Sequence, residues 1–146
     1  MLKYLGLQIL QALISMKQSQ IIHCDLKPEN IMIKNLKNFT LKIIDFGSSC
    51  FENNNTNSFY IQSRYYRAPE ILLGLQYSYP IDMWSFGCII FELYTGFPLF
   101  NSMNQKDHMQ CIMDVLGVPP NQLIKVLMKR KERNQVNILT KMGCRF

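Results

Sequence analysis

The feature that most constrains the fold is a polar and charged octapeptide, HCDLKPEN at residues 23–30, which runs directly into an isoleucine-rich segment. Residues 31–33 and 41–44 have the composition of short strands, and the polar residues between them are typical of a turn. The two segments therefore predict a β-hairpin. Its second strand is followed by Asp45, Phe46 and Gly47, so we expect the hairpin to bring Asp45 back beside the octapeptide.

Apolar residues at steps of three and four predict helices on both sides of this hairpin. The pattern predicts a first helix over residues 2–16 and a second over 81–93, the latter apolar nearly all round and therefore central to the core. It predicts two further helices over 109–116 and 123–128. Residues 48–63, which include four Asn, have loop composition. We expect a mostly helical domain with a small β-hairpin and one long loop.

The composition excludes several classes of protein. A hydrophobic content of 48% with 18% charged residues is enough to bury a core, so we do not expect a disordered chain. The uncharged stretches of residues 71–81 and 93–105 are too short for a membrane span. Five cysteines without a CxxC pair favour reduced thiols, as in the cytoplasm or the nucleus.

The positive charge is confined to the end of the chain. The net charge is +6, yet residues 1–124 carry nine basic and nine acidic residues, so the excess comes from residues 125–146. A basic tail can touch nucleic acid or acidic lipid, but a charge run is also typical of a solvated helix face. Because no nucleic-acid-binding motif accompanies it, we do not expect nucleic acid as a partner.

Four residues of the octapeptide and the hairpin have the chemistry of phosphoryl transfer. That reaction needs a carboxylate near the incoming hydroxyl, a cation near the moving phosphate and oxygen ligands for Mg²⁺. Asp25, Lys27, Asn30 and Asp45 supply this set. Mg²⁺ favours carboxylate, amide and phosphate oxygens, so Asn30 and Asp45 form one candidate magnesium site if the hairpin brings them together.

Four motifs in one order give the chain its resemblance to eukaryotic protein kinases. The octapeptide corresponds to the catalytic loop and residues 45–47, DFG, to the magnesium loop; residues 68–70, APE, end the activation segment, and residues 82–87, DMWSFG, lie on the buried helix below it. The stretches HCDLKPENIM, KIIDFGSSC, YIQSRYYRAPEILLG and IDMWSFGCIIFELYTGFPLF resemble the DYRK family, the dual-specificity tyrosine-regulated kinases of the CMGC group.

Within this resemblance, two positions depart from common patterns. Cys24 replaces the Arg of the common HRD loop, as it does in DYRK kinases. Ser58 stands where many of them carry the first Tyr of a Tyr-x-Tyr pair, and the second survives as Tyr60. The resemblance covers residues 1–128, which we interpret as a partial kinase domain, whereas residues 129–146 form a basic tail.

The resemblance implies a role for each site residue. Asp25 accepts or orients the proton of the substrate hydroxyl, and Lys27 neutralises charge on the γ-phosphate of ATP. Asn30 and Asp45 hold Mg²⁺ between the phosphates. For Lys27, a position on the solvated surface is the alternative.

Further implied roles concern the adenine base and the activation loop. Met32 and Ile44 form the floor of the adenine pocket. Tyr60, once phosphorylated, is clamped by Arg64 and Arg67; the alternative for Tyr60 is a plain aromatic anchor.

Three scaffold residues complete these expectations. We expect Asp82 to accept backbone N–H bonds from the octapeptide, Trp84 to fill the core and His23 to brace the octapeptide rather than transfer protons.

The function implied is that of a serine/threonine protein kinase with dual specificity, a transferase acting on protein substrates with ATP and Mg²⁺. The implied fold is protein-kinase-like, α+β overall, with this chain as its mostly α C-terminal lobe. Its seven glycines contain no GxGxxG, and no strand Lys precedes the first helix. We therefore expect a kinase fragment that is inactive alone. The alternative is a non-catalytic binding module derived from a kinase.

Overall fold

The computed structural model describes residues 1–52, 60–121 and 124. Its regular elements are α1 Leu2–Gln18, β1 Ile21–Ile22, β2 Ile31–Asn35, β3 Thr40–Ile43, β4 Cys50–Phe51, α2 Pro69–Leu72, α3 Pro80–Thr95 and α4 Gln105–Leu116. Two 3₁₀ turns, Pro28–Asn30 and Arg64–Tyr66, connect them. Within these residues no helix combines the length and the hydrophobicity that crossing a bilayer requires.

The predicted hairpin is confirmed. Strands β2 and β3 pair antiparallel, with Ile31 opposite Ile43, and one face of the pair packs on the main hydrophobic core. Gln8 of α1 fixes the hairpin at its turn, since its side-chain amide donates to the carbonyl of Phe39 at 3.0 Å and accepts from the N–H of Leu41 at 2.9 Å. The helix and the hairpin are therefore joined by polar bonds as well as by packing.

The second sheet departs from the sequence prediction. Cys50 and Phe51, placed in the predicted long loop, form strand β4, which pairs antiparallel with β1 just before the octapeptide. A strand of two residues leaves no periodic signal, and only its distant partner identifies it. Residues 53–59 of the predicted loop lie outside the described residues.

Helix α3 is confirmed, but its predicted burial on all sides is wrong. The buried residues are Ile81, Asp82, Ser85, Cys88 and Ile89. They recur at the spacing of a single helical stripe. On the other side the exposed apolar residues include Tyr94, at 80%. The helix ends at Gly96, whose φ of +82° is a left-handed conformation that glycine adopts without strain.

Helix α4 is also confirmed. Its N-cap Asn104 accepts from the N–H of Asp107 at 3.0 Å, and Asp107 in return accepts from the N–H of Met103 at 2.8 Å. The four-residue helix α2 was not predicted, because it is too short for periodicity to show. Of the predicted fourth helix only Ile124 is described; the rest of that helix and the basic tail, residues 129–146, lie outside the described residues.

Two groups of buried apolar residues form the core. Trp84 of α3 packs against both groups and stacks on Phe100, with ring centroids 5.6 Å apart, so its predicted role in the core is confirmed. The octapeptide crosses this core, because Leu26 belongs to one group and Cys24 to the other. The candidate site therefore rests directly on the hydrophobic core of the described residues.

Candidate active site

The octapeptide is held from below by a buried carboxylate. Asp82 of α3 accepts the N–H of His23 at 2.7 Å and the N–H of Cys24 at 3.1 Å, which confirms its predicted role. Burial raises the pKa of Asp82, although the two N–H bonds work against the rise. Cys24 has a φ of +64°, a strained conformation for a residue with a side chain. The two bonds to Asp82 stabilise the octapeptide in this conformation.

His23 links the octapeptide to the end of the hairpin. Its Nε2 lies 3.1 Å from the carbonyl of Ile44, and its Nδ1 accepts from the N–H of Asp25 at 3.3 Å. Since a carbonyl only accepts, Nε2 carries the proton. The ring also packs edge-on against Phe46 at 5.0 Å. His23 therefore braces the loop as predicted, with both nitrogens engaged.

Asp25 receives three hydrogen bonds on its carboxylate. Lys27 Nζ donates at 2.8 Å, and Ser63 donates from its N–H at 2.9 Å and from its hydroxyl at 2.8 Å. Partial burial works to raise the pKa of Asp25, but the hydrogen bonds from Lys27 and Ser63 outweigh it, so the pKa lies below its usual value. The carboxylate is thus ionised at neutral pH and fixed in direction.

Ser63 is the functional neighbour that the sequence did not reveal. It lies 38 residues after Asp25, and besides its two bonds to that carboxylate its hydroxyl accepts from Lys27 at 3.2 Å. A lone serine in a loop carries no sequence signal. Only the return of the chain past the octapeptide places it between the acid and the amine.

At the base of the hairpin, Asn30 is bonded to Ile44, the residue that precedes Asp45. Asn30 is buried; its side-chain N–H donates to the carbonyl of Asp25 at 2.9 Å, and its own carbonyl accepts from the N–H of Ile44 at 2.9 Å. The hydrogen bond to Asp25 raises the pKa of Lys27, and the nearby charges of Asp25, Glu29 and Asp45 add to this rise. The predicted set Asp25, Lys27, Asn30 and Asp45 therefore comes together.

The oxygens at this point fit a hard divalent cation. Because Asn30 uses its side-chain N–H on Asp25, its amide oxygen is turned away from that bond, and among the described residues nothing donates to it. Asp45 is exposed and uses one oxygen on the N–H of Gly47 at 3.2 Å. One carboxylate and one amide suit Mg²⁺, which keeps several waters and takes phosphate oxygens for the rest.

Met32 and Ile44 share one face of the hairpin. Register pairs Met32 with Lys42, and side chains alternate along a strand, so the residues on this side are Met32, Lys42 and Ile44. We call it the hairpin outer face. Met32 is 53% exposed and Ile44 is half-buried. The face therefore carries two apolar side chains and one exposed lysine, and Ile44 directly precedes Asp45.

Of the predicted arginine pair, Arg67 contacts Tyr60, whereas Arg64 is bonded to Ser102. Tyr60 is 76% exposed, and the guanidinium of Arg67 lies 4.8 Å from the centre of its ring. Arg67 is buried and donates to the carbonyls of Ile61 and Gln62. Arg64 donates to the carbonyl of Ser102 at 3.3 Å. Ser58 lies outside the described residues.

Known proteins with similar sequences point to one family. Residues 1–142 match the family described as "Protein kinase domain". The chain belongs to the protein kinase domain family. It is 54% identical over 84% of its length to "Dual specificity tyrosine-phosphorylation-regulated kinase 2" of Drosophila melanogaster. It is 56% identical over 80% of its length to "Dual specificity tyrosine-phosphorylation-regulated kinase 3" of Homo sapiens, and 48% identical over 89% to the "DYRK-family kinase pom1" of Schizosaccharomyces pombe.

These similarities confirm the resemblance to the DYRK family. This kinase-family chain spans 17% of the Drosophila relative, 20% of the human one and 12% of the fission-yeast one. It therefore corresponds to a small part of each relative. The part includes the octapeptide and the hairpin, where the site residues meet.

Proposed function

We propose that the protein containing this chain is a dual-specificity protein kinase that transfers the γ-phosphate of ATP to Ser and Thr of protein substrates and to its own Tyr60. In this proposal the chain is the C-terminal lobe and carries the catalytic residues. The observation that carries the proposal is the carboxylate of Asp25, kept ionised and fixed by Lys27 and Ser63 beside Asn30 and Asp45.

Each residue of this set has one task. Asp25 orients the substrate hydroxyl and takes its proton as the hydroxyl oxygen bonds to phosphorus and the bond to the leaving ADP oxygen breaks. Lys27 is 2.8 Å from Asp25 and offers positive charge to the phosphoryl oxygens. Asn30 and Asp45 would hold Mg²⁺, which supplies charge neutralisation of the nucleotide phosphates when bound.

The hairpin outer face offers the nucleotide two apolar side chains, Met32 and Ile44, beside the exposed Lys42. Met32 and Ile44 lie on the same face of the hairpin, and Ile44 directly precedes Asp45. An adenine base is flat and apolar on its faces, so it would pack here while its phosphates reach Asp45. This supports the assignment of Met32 and Ile44 as the floor of the adenine pocket.

Tyr60 is the proposed site of autophosphorylation. Its ring is exposed and lies over the guanidinium of Arg67, so a phosphate on its hydroxyl would add about −1.5 to −2 charge beside a buried cation. Arg64 contributes a second positive charge in the same segment. We also infer a reducing compartment, cytoplasmic or nuclear, from five cysteines without paired spacing.

Transfer of labelled γ-phosphate by the full-length protein tests the proposal. Asp25→Asn and Asp45→Asn should each lower turnover by about 10²-fold or more, because each removes a group that acts on the reacting atoms. The matched control is Asp114→Asn, the same change at an exposed carboxylate of α4, which should leave turnover unchanged.

Turnover within tenfold of wild type for either site variant would overturn the assigned roles. Wild-type protein that transfers no phosphate and shows no thermal shift with ATP and Mg²⁺, yet still binds a protein partner, would favour the non-catalytic binding module.

A further inference from the structure

One buried histidine is not used by the proposed chemistry. His108 lies in the first turn of α4 and is fully buried. Its Nδ1 is 3.0 Å from the hydroxyl of Ser102, and its Nε2 is 3.1 Å from the backbone carbonyl of Arg67. Since the carbonyl only accepts, Nε2 carries the proton and Nδ1 accepts from the Ser102 hydroxyl. His108 thus uses one donor and one acceptor to join two separate segments.

One of these segments contains Arg67, and the other binds the side chain of Arg64. Arg67, whose carbonyl His108 binds, turns its guanidinium toward the ring of Tyr60 at 4.8 Å. Ser102, which His108 also binds, accepts the guanidinium of Arg64 on its own carbonyl at 3.3 Å. The imidazole therefore contacts the backbone of Arg67 directly and is linked to Arg64 through Ser102.

The imidazole is itself held in place. Its ring packs edge-on against Phe100 at 5.8 Å, and Phe100 stacks on Trp84 at 5.6 Å. The first turn of α4 is fixed by the reciprocal bonds between its N-cap residue Asn104 and Asp107. Because the ring is fixed on α4, the position of α4 determines the position of the segment that His108 binds.

We propose that His108 is a positioning residue that holds the arginine pair where it can clamp a phosphate on Tyr60. This inference rests on the proposed function, in which Tyr60 is phosphorylated. It gives α4 a role in positioning the arginines of the activation segment. It also makes the clamp depend on an imidazole, which can be protonated.

The electrostatic surroundings of His108 favour its neutral form. Burial lowers its pKa; the bond to the carbonyl of Arg67 and the charge of Asp107 oppose this, while the charges of Arg67 and Arg64 add to it. Because the folded pKa lies below the usual value of about 6.5, the neutral bridge is fully present above that pH. It is lost as the pH falls through the lowered folded pKa.

The test uses the full-length protein that contains this chain, prepared with phosphotyrosine at position 60 of the chain. The readout is the rate at which a broad-specificity tyrosine phosphatase removes the phosphate, divided by the rate for the free phosphopeptide of residues 60–68. We expect the wild-type chain to be protected. His108→Leu should be dephosphorylated at least fivefold faster, because it fills the space but has no polar atoms.

Two variants separate positioning from mere stability. His108→Gln keeps one donor and one acceptor at the end of its side chain and should stay within twofold of wild type. Ile112→Ala removes buried volume from the same helix and should lower the melting temperature without altering the rate ratio. Equal acceleration in Ile112→Ala and His108→Leu would overturn the inference.

The pH profile provides a second readout if His108→Leu does not fold. As the pH falls through the lowered folded pKa of His108, protection of the wild-type chain should weaken more than that of His108→Gln, because a carboxamide does not titrate. Identical profiles would contradict the inference. Protection that survives His108→Leu contradicts the role of His108 alone, whereas wild-type phosphotyrosine removed as fast as from the peptide contradicts the clamp itself.

Discussion

The octapeptide and the hairpin outer face lie side by side but are built in opposite ways. In the octapeptide His23, Cys24 and Leu26 are fully buried, and Asp82 and Ser63 bind its polar groups from outside. On the hairpin outer face Met32 is 53% exposed.

The octapeptide is thus organised by the chain itself, whereas the hairpin outer face is not. The groups that act on the hydroxyl and the phosphate are fixed before any ligand binds, so they need little reorganisation during the reaction. The surface for the base is open, because Met32 and Lys42 are exposed and Ile44 is half-buried. Disturbing the octapeptide should therefore cost folding stability, whereas disturbing the hairpin outer face should cost binding alone.

The largest effect on stability is expected for Asp82→Asn. An amide keeps the volume but turns one N–H toward the N–H groups of His23 and Cys24, so one buried donor loses its acceptor. We expect the free energy of unfolding to fall by about 1–3 kcal/mol. Urea unfolding measures it, with Asp114→Asn as the control, expected within about 0.5 kcal/mol of wild type.

A fall of less than about 0.5 kcal/mol in the free energy of unfolding of Asp82→Asn would contradict this account, because the octapeptide would then not depend on its bonds to Asp82.

A smaller effect is expected for Ser63→Ala. The variant removes the hydroxyl that donates to Asp25 and accepts from Lys27 but keeps the backbone donor. We expect a loss of about 0.5–1.5 kcal/mol and a pKa of Asp25 that rises toward its usual value of about 3.9. A ¹³C titration of the Asp25 carboxyl measures the pKa, with Ser15→Ala on α1 as the control.

The sign of the pH dependence of stability follows from the depressed pKa of Asp25. A carboxyl whose folded pKa is depressed stabilises the fold above its unfolded pKa, and this contribution is lost as the pH falls through the folded pKa. In Ser63→Ala the contribution is smaller and disappears at a higher pH. A pKa of Asp25 identical to wild type would show that the hydroxyl bond does not act on this carboxylate.

The smallest effect on stability is expected for Met32→Ala. Because the side chain is half exposed, the free energy of unfolding should change by less than about 0.5 kcal/mol. Affinity for an ATP analogue should fall severalfold, since apolar contact with the base is lost. Leu36→Ala, at the exposed turn of the same hairpin, is the control for affinity; an equal loss in both variants would contradict the role of the hairpin outer face.

The features that could be predicted from the sequence are those formed by contiguous residues. The octapeptide and the DFG segment each stand in one stretch, so their pairing through a hairpin followed from composition and spacing alone. The bracing role of His23 and the buried role of Asp82 followed from the resemblance and from the cost of burying a charge.

What the sequence did not predict depends on distant pairing. Ser63 reaches Asp25 across 38 residues, and His108 reaches the carbonyl of Arg67 across 41. Neither a serine nor a histidine by itself indicates which distant residue it will bind. The one-sided burial of α3 was missed for a related reason: an apolar composition gives no direction until the neighbouring elements are in place.

The central claim is that Asp25, Lys27, Asn30 and Asp45 surround one cation–phosphate site. Paramagnetic broadening of NMR signals by Mn²⁺ with a non-hydrolysable ATP analogue tests it most directly, because the effect falls steeply with distance. The account predicts strong broadening of the signals of these four residues, weak broadening on α4, and its loss in Asp45→Asn. Broadening that spares Asn30 and Asp45, or that persists unchanged in Asp45→Asn, would contradict it.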